Sequence, residues 1–121
     1  IEGLSFIGGE PILQAEGLGE IAEWAHTNGL TVLVFTGYLV EQLESLNDNS
    51  VNMLLAHTDI LVDGPYIREL RDFDRDWVGS SNQRVVFLTD AYRPGIEYKN
   101  HEHQIEVMVS DKDILVNGWP Y

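Results

Sequence analysis

The chain has 121 residues, no cysteine and a formal net charge of −13, with seven Lys and Arg against twenty Asp and Glu. This balance argues against binding to nucleic acid or to an anionic membrane surface, because both repel an acidic protein. Without cysteine these residues hold no disulfide and offer no thiolate to zinc or to an iron–sulfur cluster. With 44% apolar residues the composition is globular, and we predict a single domain over residues 1–121.

Apolar runs and helical patterns alternate in the first third of the chain. Leu4–Ile7 is an apolar run that stops at two glycines, which predicts a buried strand followed by a tight turn. Between Leu18 and Ala25 the apolar residues recur at the spacing of one helix face. Thr31–Thr36 is apolar and β-branched, which is typical of a parallel strand covered on both faces.

The same alternation continues through the middle of the chain. Apolar spacing between Val40 and Leu46 predicts a second short helix, and Val51–Ala56 predicts a further helical turn. Asp59–Val62 is predicted as the third strand. The order strand, helix, strand, helix, strand implies right-handed crossovers and a parallel sheet, and therefore an α/β fold.

The pattern changes after the third predicted strand. Arg84–Leu88 is predicted as a fourth strand, and the polar stretch Thr89–Gln104 as a long exposed loop. Ile105–Val109 alternates apolar and polar residues and is followed by the apolar run Ile114–Val116. These two segments predict an antiparallel hairpin appended to the sheet.

Three predicted strands are followed by residues suited to ligand binding, at the ends where parallel sheets bind their ligands. The segments are Gly8-Gly9-Glu10-Pro11, Thr36-Gly37-Tyr38 and Asp63-Gly64-Pro65-Tyr66. The paired glycines let the backbone turn sharply and approach a ligand, and Glu10 adds a carboxylate. From spacing alone, ordinary strand-to-helix turns explain the three segments better than a binding site does.

Four segments together, however, resemble a known family. Phe6–Pro11, which follows a strand, resembles the S-adenosylmethionine-contacting motif of the radical SAM superfamily. Val34–Tyr38, Asp59–Tyr66 and Trp77–Gln83 are similar, in order and approximate spacing, to the activating enzymes of anaerobic ribonucleotide reductase and pyruvate formate-lyase. The similarity runs from about residue 4 to residue 88.

The resemblance implies a truncated (β/α) partial TIM-like barrel of parallel strands with a C-terminal β-hairpin, with a core over residues 4–88 and the loop and hairpin over 89–121. It implies a parent enzyme that uses a [4Fe–4S] cluster to cleave S-adenosylmethionine reductively and installs a glycyl radical on a partner enzyme. Anaerobic ribonucleotide reductase is the first expected partner. In the family a Cys-x-x-x-Cys-x-x-Cys loop upstream of the Gly-Gly-Glu-Pro strand holds the cluster, and this chain begins just before that strand. We therefore expect the chain to be inactive alone.

The resemblance also assigns roles to individual residues. Those expected to contact S-adenosylmethionine are Gly8, Gly9, Glu10, Pro11, Thr36 and Asp63. The loop expected to line the site or to meet the partner consists of Gly79, Ser80, Ser81, Asn82 and Gln83. Within the first set, the Gly-Gly-Glu-Pro residues would contact the ammonium group, while Thr36 would lie near the carboxylate or ribose. No residue of the chain is assigned a catalytic or metal-ligating role.

One alternative function stays open at this point. A non-catalytic α/β interaction module that retains the radical SAM scaffold would also lack cysteine. The upstream coding sequence separates the two hypotheses, because only the enzyme needs the cysteine motif within about one βα unit of ~30 residues. His101 and His103 could present two imidazoles to a metal, but no third ligand is evident, and solvated side chains explain them better.

Two expectations concern the surroundings of the chain. It shows no signal-peptide pattern and no apolar run near the ~20 residues needed to span a bilayer, so we expect a cytoplasmic protein. If the preceding strand of the family is missing, Leu4–Ile7 becomes an exposed sheet edge. Self-association is then expected, unless the C-terminal hairpin folds back over that edge.

Overall fold

The computed structural model of the chain describes residues 2–98, 105–109 and 114–118. Six strands form one sheet: β1 (Gly3–Phe6), β2 (Thr31–Phe35), β3 (Ile60–Asp63), β4 (Arg84–Phe87), β5 (Ile105–Val109) and β6 (Ile114–Gly118). Their order is β4-β3-β2-β1-β5-β6. The four central strands β3, β2, β1 and β5 are parallel, whereas β4 and β6 are antiparallel to their neighbours.

Three α-helices connect the first three strands: α1 (Ala15–Thr27), α2 (Val40–Leu46) and α3 (Asn49–Ala56). Short 3₁₀ turns occur at Pro11–Gln14, Arg68–Leu70 and Ile96–Tyr98. The helix α1 ends at Asn28, and Gly29 follows in the left-handed region at φ 74°. A glycine adopts this conformation at the least cost, which explains why the helix ends there.

Apolar side chains are buried on both faces of the sheet. On the helix side, strand residues such as Phe6, Val34 and Leu61 pack with Leu43 and Leu54 of the helices, and none of the five is accessible to solvent. On the opposite side a smaller cluster is formed by Leu33, Ile60, Val62 and Val78. Because both faces are covered, the central strands have continuous apolar sequences rather than alternating ones.

The predicted α/β class, the strands and the helices are confirmed, with boundaries that differ by up to three residues. The predicted hairpin is also confirmed, as β5 and β6. The described strands form an open sheet with strands of both directions. Closure into part of a TIM-like barrel therefore stays a prediction.

The expectation that Leu4–Ile7 is an exposed edge is wrong. The strand β1 pairs with β2 on one side and with β5 on the other, so it is central in the sheet. The hairpin supplies this second neighbour because β5 runs parallel to β1 and bonds to it over Gly3–Phe6. The edge argument for self-association is thereby removed, and self-association itself stays a prediction.

The loop predicted over Thr89–Gln104 is only in part exposed. Within its described portion, Tyr92 packs against the smaller apolar cluster and Glu97 is buried. Residues 99–104, including His101 and His103, lie outside the described residues. In the part of the chain that the structure describes, no helix is long and apolar enough to cross a membrane.

Candidate functional site

An open cleft of about 230 Å³ lies at the carboxyl ends of β1, β2 and β3. Four of the residues that line it are glycines: Gly8, Gly9, Gly37 and Gly64. At these four positions no side chain separates the backbone from a ligand, so peptide groups can contribute to the wall. Pro11 and Thr36, both predicted as ligand contacts, also line the cleft.

The turn after β1 depends on its two glycines. Gly8 and Gly9 have φ angles of 82° and 41°, so two consecutive residues occupy the left-handed region. Side chains other than glycine adopt this region at a cost, and two in succession would strain the turn. The sequence thus forms a tight, exposed turn that leads directly into Glu10.

The Glu10 carboxylate joins the turn after β1 to the turn after β2. Its Oε2 accepts hydrogen bonds from the Ile12 N–H at 3.0 Å and from the Thr36 hydroxyl at 2.8 Å. Its Oε1 accepts one from the Gly37 N–H at 2.7 Å. A carboxylate offers about four acceptor positions. Three are used here, and one remains on Oε1.

Removal of the Glu10 carboxylate should loosen this connection. The substitution Glu10→Ala deletes three hydrogen bonds to a carboxylate, and we expect the free energy of unfolding to fall by about 1–3 kcal/mol. Urea denaturation followed by circular dichroism measures the change. The control is Glu20→Ala, which removes an exposed carboxylate from α1. Equal stabilities of the two variants would show that Glu10 does not hold the two turns together.

Asp63 lies beside the cleft rather than in its lining, and its side chain is fully buried. Arg84 donates to both of its oxygens, from Nε at 3.0 Å and from Nη2 at 2.5 Å. The Val40 N–H at the start of α2 donates to Oδ2 at 2.8 Å. The carboxylate therefore connects β3 to β4 and to α2. Its predicted contact with a cofactor stays a prediction.

Arg84 carries a second carboxylate partner at the surface. It donates to both oxygens of Glu41, at 2.9 and 2.7 Å. Hydrogen bonds to Glu41 and to Asp63 raise the pKa of Arg84 above its ordinary value, and the bonds from Arg84 lower the pKa of Glu41. The guanidinium is thus charged at neutral pH, as an arginine is in proteins generally.

The Gly79–Gln83 loop packs against the segment that follows β3. Gln83 Oε1 accepts from the backbone N–H groups of Gly79 and Ser80, at 2.8 and 3.1 Å. Its Nε2 donates to the Gly64 carbonyl at 2.9 Å. A single amide thus closes the loop on itself and attaches it to the wall of the cleft, which Gln83 also lines.

Two further side chains of the loop bind the same segment. Asn82 Nδ2 donates to the Pro65 carbonyl at 2.7 Å, and the buried Ser80 hydroxyl accepts from the Ile67 N–H at 3.1 Å. Ser81 is exposed and takes part through its backbone, whose N–H donates to the Leu70 carbonyl. The loop therefore lies beside the cleft as a folded unit.

The sequence assigned no individual role to some residues that the structure brings to this site. Gly37, Gly64 and Tyr66 line the cleft, and Arg84 neutralises Asp63. The first three belong to the strand-end segments that the sequence marked as suited to ligand binding, because ligands of parallel sheets bind at strand ends. No local signal identifies Arg84, because its contact depends on the antiparallel pairing of β3 with β4.

The profile of the 4Fe-4S single cluster domain family matches residues 1–86, and the chain belongs to this family. The chain is also similar to proteins named anaerobic ribonucleoside-triphosphate reductase-activating protein. Identities are 33% for that of Salmonella typhi, 32% for that of Escherichia coli K12 and 34% for that of Vibrio cholerae. Each alignment covers 72% of this chain and 56% of the relative, so the chain spans about half the length of these proteins.

These relatives confirm the predicted resemblance to the activating enzymes of anaerobic ribonucleotide reductase. No solved structure matches the chain significantly. The residues present do not fit the cluster that names the family, because the 121 residues include no cysteine. Nor does any group of three or more His, Asp or Glu among the described residues form a potential metal site.

Proposed function

We propose that this chain is the S-adenosylmethionine-binding part of a radical SAM activating enzyme. The enzyme would cleave S-adenosylmethionine reductively and install a glycyl radical on a partner, with anaerobic ribonucleotide reductase as the first candidate. The observation that carries the proposal is the convergence of Gly8, Gly9 and Thr36 on one cleft at the ends of three parallel strands. The names of the similar activating proteins support the choice of partner.

The chemistry of the cleft suits the amino-acid end of S-adenosylmethionine. Its ammonium group needs acceptors, and Gly8 and Gly9 offer carbonyls that no side chain shields. Glu10 does not line the cleft itself, but its carboxylate bonds to Thr36 and Gly37, which do, and so adds a negative charge beside the cleft. The radical chemistry belongs to S-adenosylmethionine once it is reduced, and the part of this chain is to bind and orient it.

The proposal also covers the arrangement of the whole protein. The [4Fe–4S] ligands would come from outside these 121 residues, since the chain offers no thiolate. The parallel strands β1, β2 and β3 would be consecutive strands of a partial TIM-like barrel in a single domain. We place the protein in the cytoplasm, where such an enzyme would meet its partner.

Titration of the ¹⁵N-labelled chain with S-adenosylmethionine tests the proposal. We expect weak binding, because the cluster that would anchor the ligand is missing, with chemical-shift changes centred on Gly8, Gly9, Thr36 and Gly37. The variant Glu10→Ala should bind more weakly still, because it loses the carboxylate near the ammonium group. Shift changes confined to residues 89–98, or none at all, would contradict the proposal.

The non-catalytic interaction module is the second candidate, because it too would lack cysteine in these residues. The coding sequence upstream of this chain decides between the two. A Cys-x-x-x-Cys-x-x-Cys motif within about one βα unit, ~30 residues, supports the enzyme. Its absence there would support the module.

A further inference from the structure

The Gly79–Gln83 loop holds the backbone on both sides of one aromatic residue, Tyr66. Three of its side chains each bind a backbone group of the segment 64–67. They are Gln83, Asn82 and Ser80, bonded to the Gly64 carbonyl, the Pro65 carbonyl and the Ile67 N–H, respectively. The backbone is thus fixed at the two residues before Tyr66 and at the residue after it.

The first residue of the loop contacts the Tyr66 ring itself. A Cβ atom placed on Gly79 would lie 2.8 and 2.9 Å from Cδ1 and Cε1 of that ring. Contacts this short do not occur, so any side chain at position 79 would push the ring away. The ring can occupy its present position because residue 79 is a glycine.

The Tyr66 ring is not buried, although the backbone on both sides of it is held. Tyr66 is 55% exposed, and it lines the cleft together with Gln83 and Gly64. Three side-chain hydrogen bonds thus hold the backbone around Tyr66, and its ring lies against Gly79 with much of its surface open at the cleft. An aromatic surface placed in this way is suited to contact with a flat ligand group, since aromatic rings attract one another in offset or edge-to-face geometry.

We infer that Tyr66 contacts the adenine ring of S-adenosylmethionine and helps to determine specificity for it, and that the Gly79–Gln83 loop positions Tyr66. This inference rests on the proposed function, which it deepens by assigning the aromatic end of the ligand. Glu10 and the paired glycines would hold the amino-acid end, on the side of β1 and β2. Tyr66 follows β3, so the ligand would extend across the strand ends from β1 to β3.

The affinities of Tyr66 variants for two ligands test this assignment. S-adenosylmethionine carries both ends, whereas methylthioadenosine carries adenine but no amino-acid group. Isothermal titration of the full chain should show that Tyr66→Leu binds both about tenfold more weakly, because a base loses its aromatic contact. Tyr66→Phe keeps the ring and should bind both within about twofold of the unaltered chain. Glu10→Ala should weaken binding of S-adenosylmethionine more than that of methylthioadenosine, because it removes a charge near the ammonium group in addition to loosening the two turns.

Two further variants separate the position of the ring from its presence. Gly79→Ala keeps Tyr66 but displaces its ring, so we expect a loss of affinity similar to that of Tyr66→Leu, with shifted Tyr66 ring resonances. Tyr98→Leu is the matched control, because Tyr98 is 63% exposed but does not line the cleft. Its affinities should be unchanged. Circular dichroism tests whether each variant is folded. If Tyr66→Leu does not fold, the comparison of Gly79→Ala with Tyr66→Phe tests the inference in its place.

Each outcome separates this inference from the proposed function. If the unaltered chain binds S-adenosylmethionine and neither Tyr66→Leu nor Gly79→Ala changes the affinity, the inference falls and the proposed function stands. If the Tyr66 variants lost affinity for S-adenosylmethionine but not for methylthioadenosine, Tyr66 would contact the amino-acid end of the ligand, and the inference would be overturned. The inference would also be overturned if the Tyr66 variants bound the reductase more weakly but kept their affinity for both small ligands, because Tyr66 would then be a partner contact. Absence of any binding by the unaltered chain overturns both.

Discussion

Reconstitution of this chain with iron and sulfide is expected to give no [4Fe–4S] absorbance and no cleavage of S-adenosylmethionine. A cluster of this type is held by cysteine thiolates, and the 121 residues contain none. Visible absorbance, iron content and sulfide content after gel filtration measure the result. A parallel sample without sulfide corrects for iron that binds to the acidic surface. Incorporation of one cluster per chain would contradict the expectation.

This result would assign ligand binding and cluster binding in the proposed enzyme to two different parts of the protein. Binding of S-adenosylmethionine at the cleft, together with the absence of a cluster, would show that the ligand site forms without the iron that anchors it. We expect the site to form without the iron, because hydrogen bonds within this chain join Glu10 to Thr36 and to Gly37. Orientation of the ligand and delivery of the electron would then be separate properties.

The variant Arg84→Leu is expected to lose about 2–3 kcal/mol of unfolding free energy, because it leaves the buried Asp63 carboxylate without its cation. The estimate lies below the usual cost of a broken buried pair, since the Arg84 side chain is 45% exposed. The Val40 N–H remains as a partner for Asp63 and does not replace the charge. Urea denaturation at pH 7 measures the loss.

The control for this variant is Glu41→Gln. Glu41 contacts the same guanidinium, but its side chain is 61% exposed and water replaces its partner readily. We expect its unfolding midpoint to stay close to that of the unaltered chain. A similar loss of unfolding free energy in both variants, or no loss in Arg84→Leu, would mean that the ion pair of Asp63 with Arg84 contributes little to stability.

Local patterns in the sequence determined the elements of the fold. Apolar spacing between Leu18 and Ala25 predicted α1, and Asn28 and Gly29 end it in the structure. The apolar run of Thr31–Thr36 predicted a strand covered on both faces, and β2 is such a strand. These features are decided by backbone conformation and by side-chain periodicity over a few residues, which is why they are visible in the sequence. The paired glycines before Glu10 marked the turn at the cleft for the same reason.

Only the tertiary structure decided which elements are neighbours. An apolar pattern states that β1 is buried but not which strands flank it, and β5, about a hundred residues further along the chain, takes one side. The partners of the polar groups were likewise undetermined, since Asp63 bonds to Arg84 only through the register of β3 and β4. The resemblance also predicted that Gly79–Gln83 lies near the site, but not that it bonds to the backbone around Tyr66. Such contacts join residues far apart in the chain, and their geometry exists only once the sheet has formed.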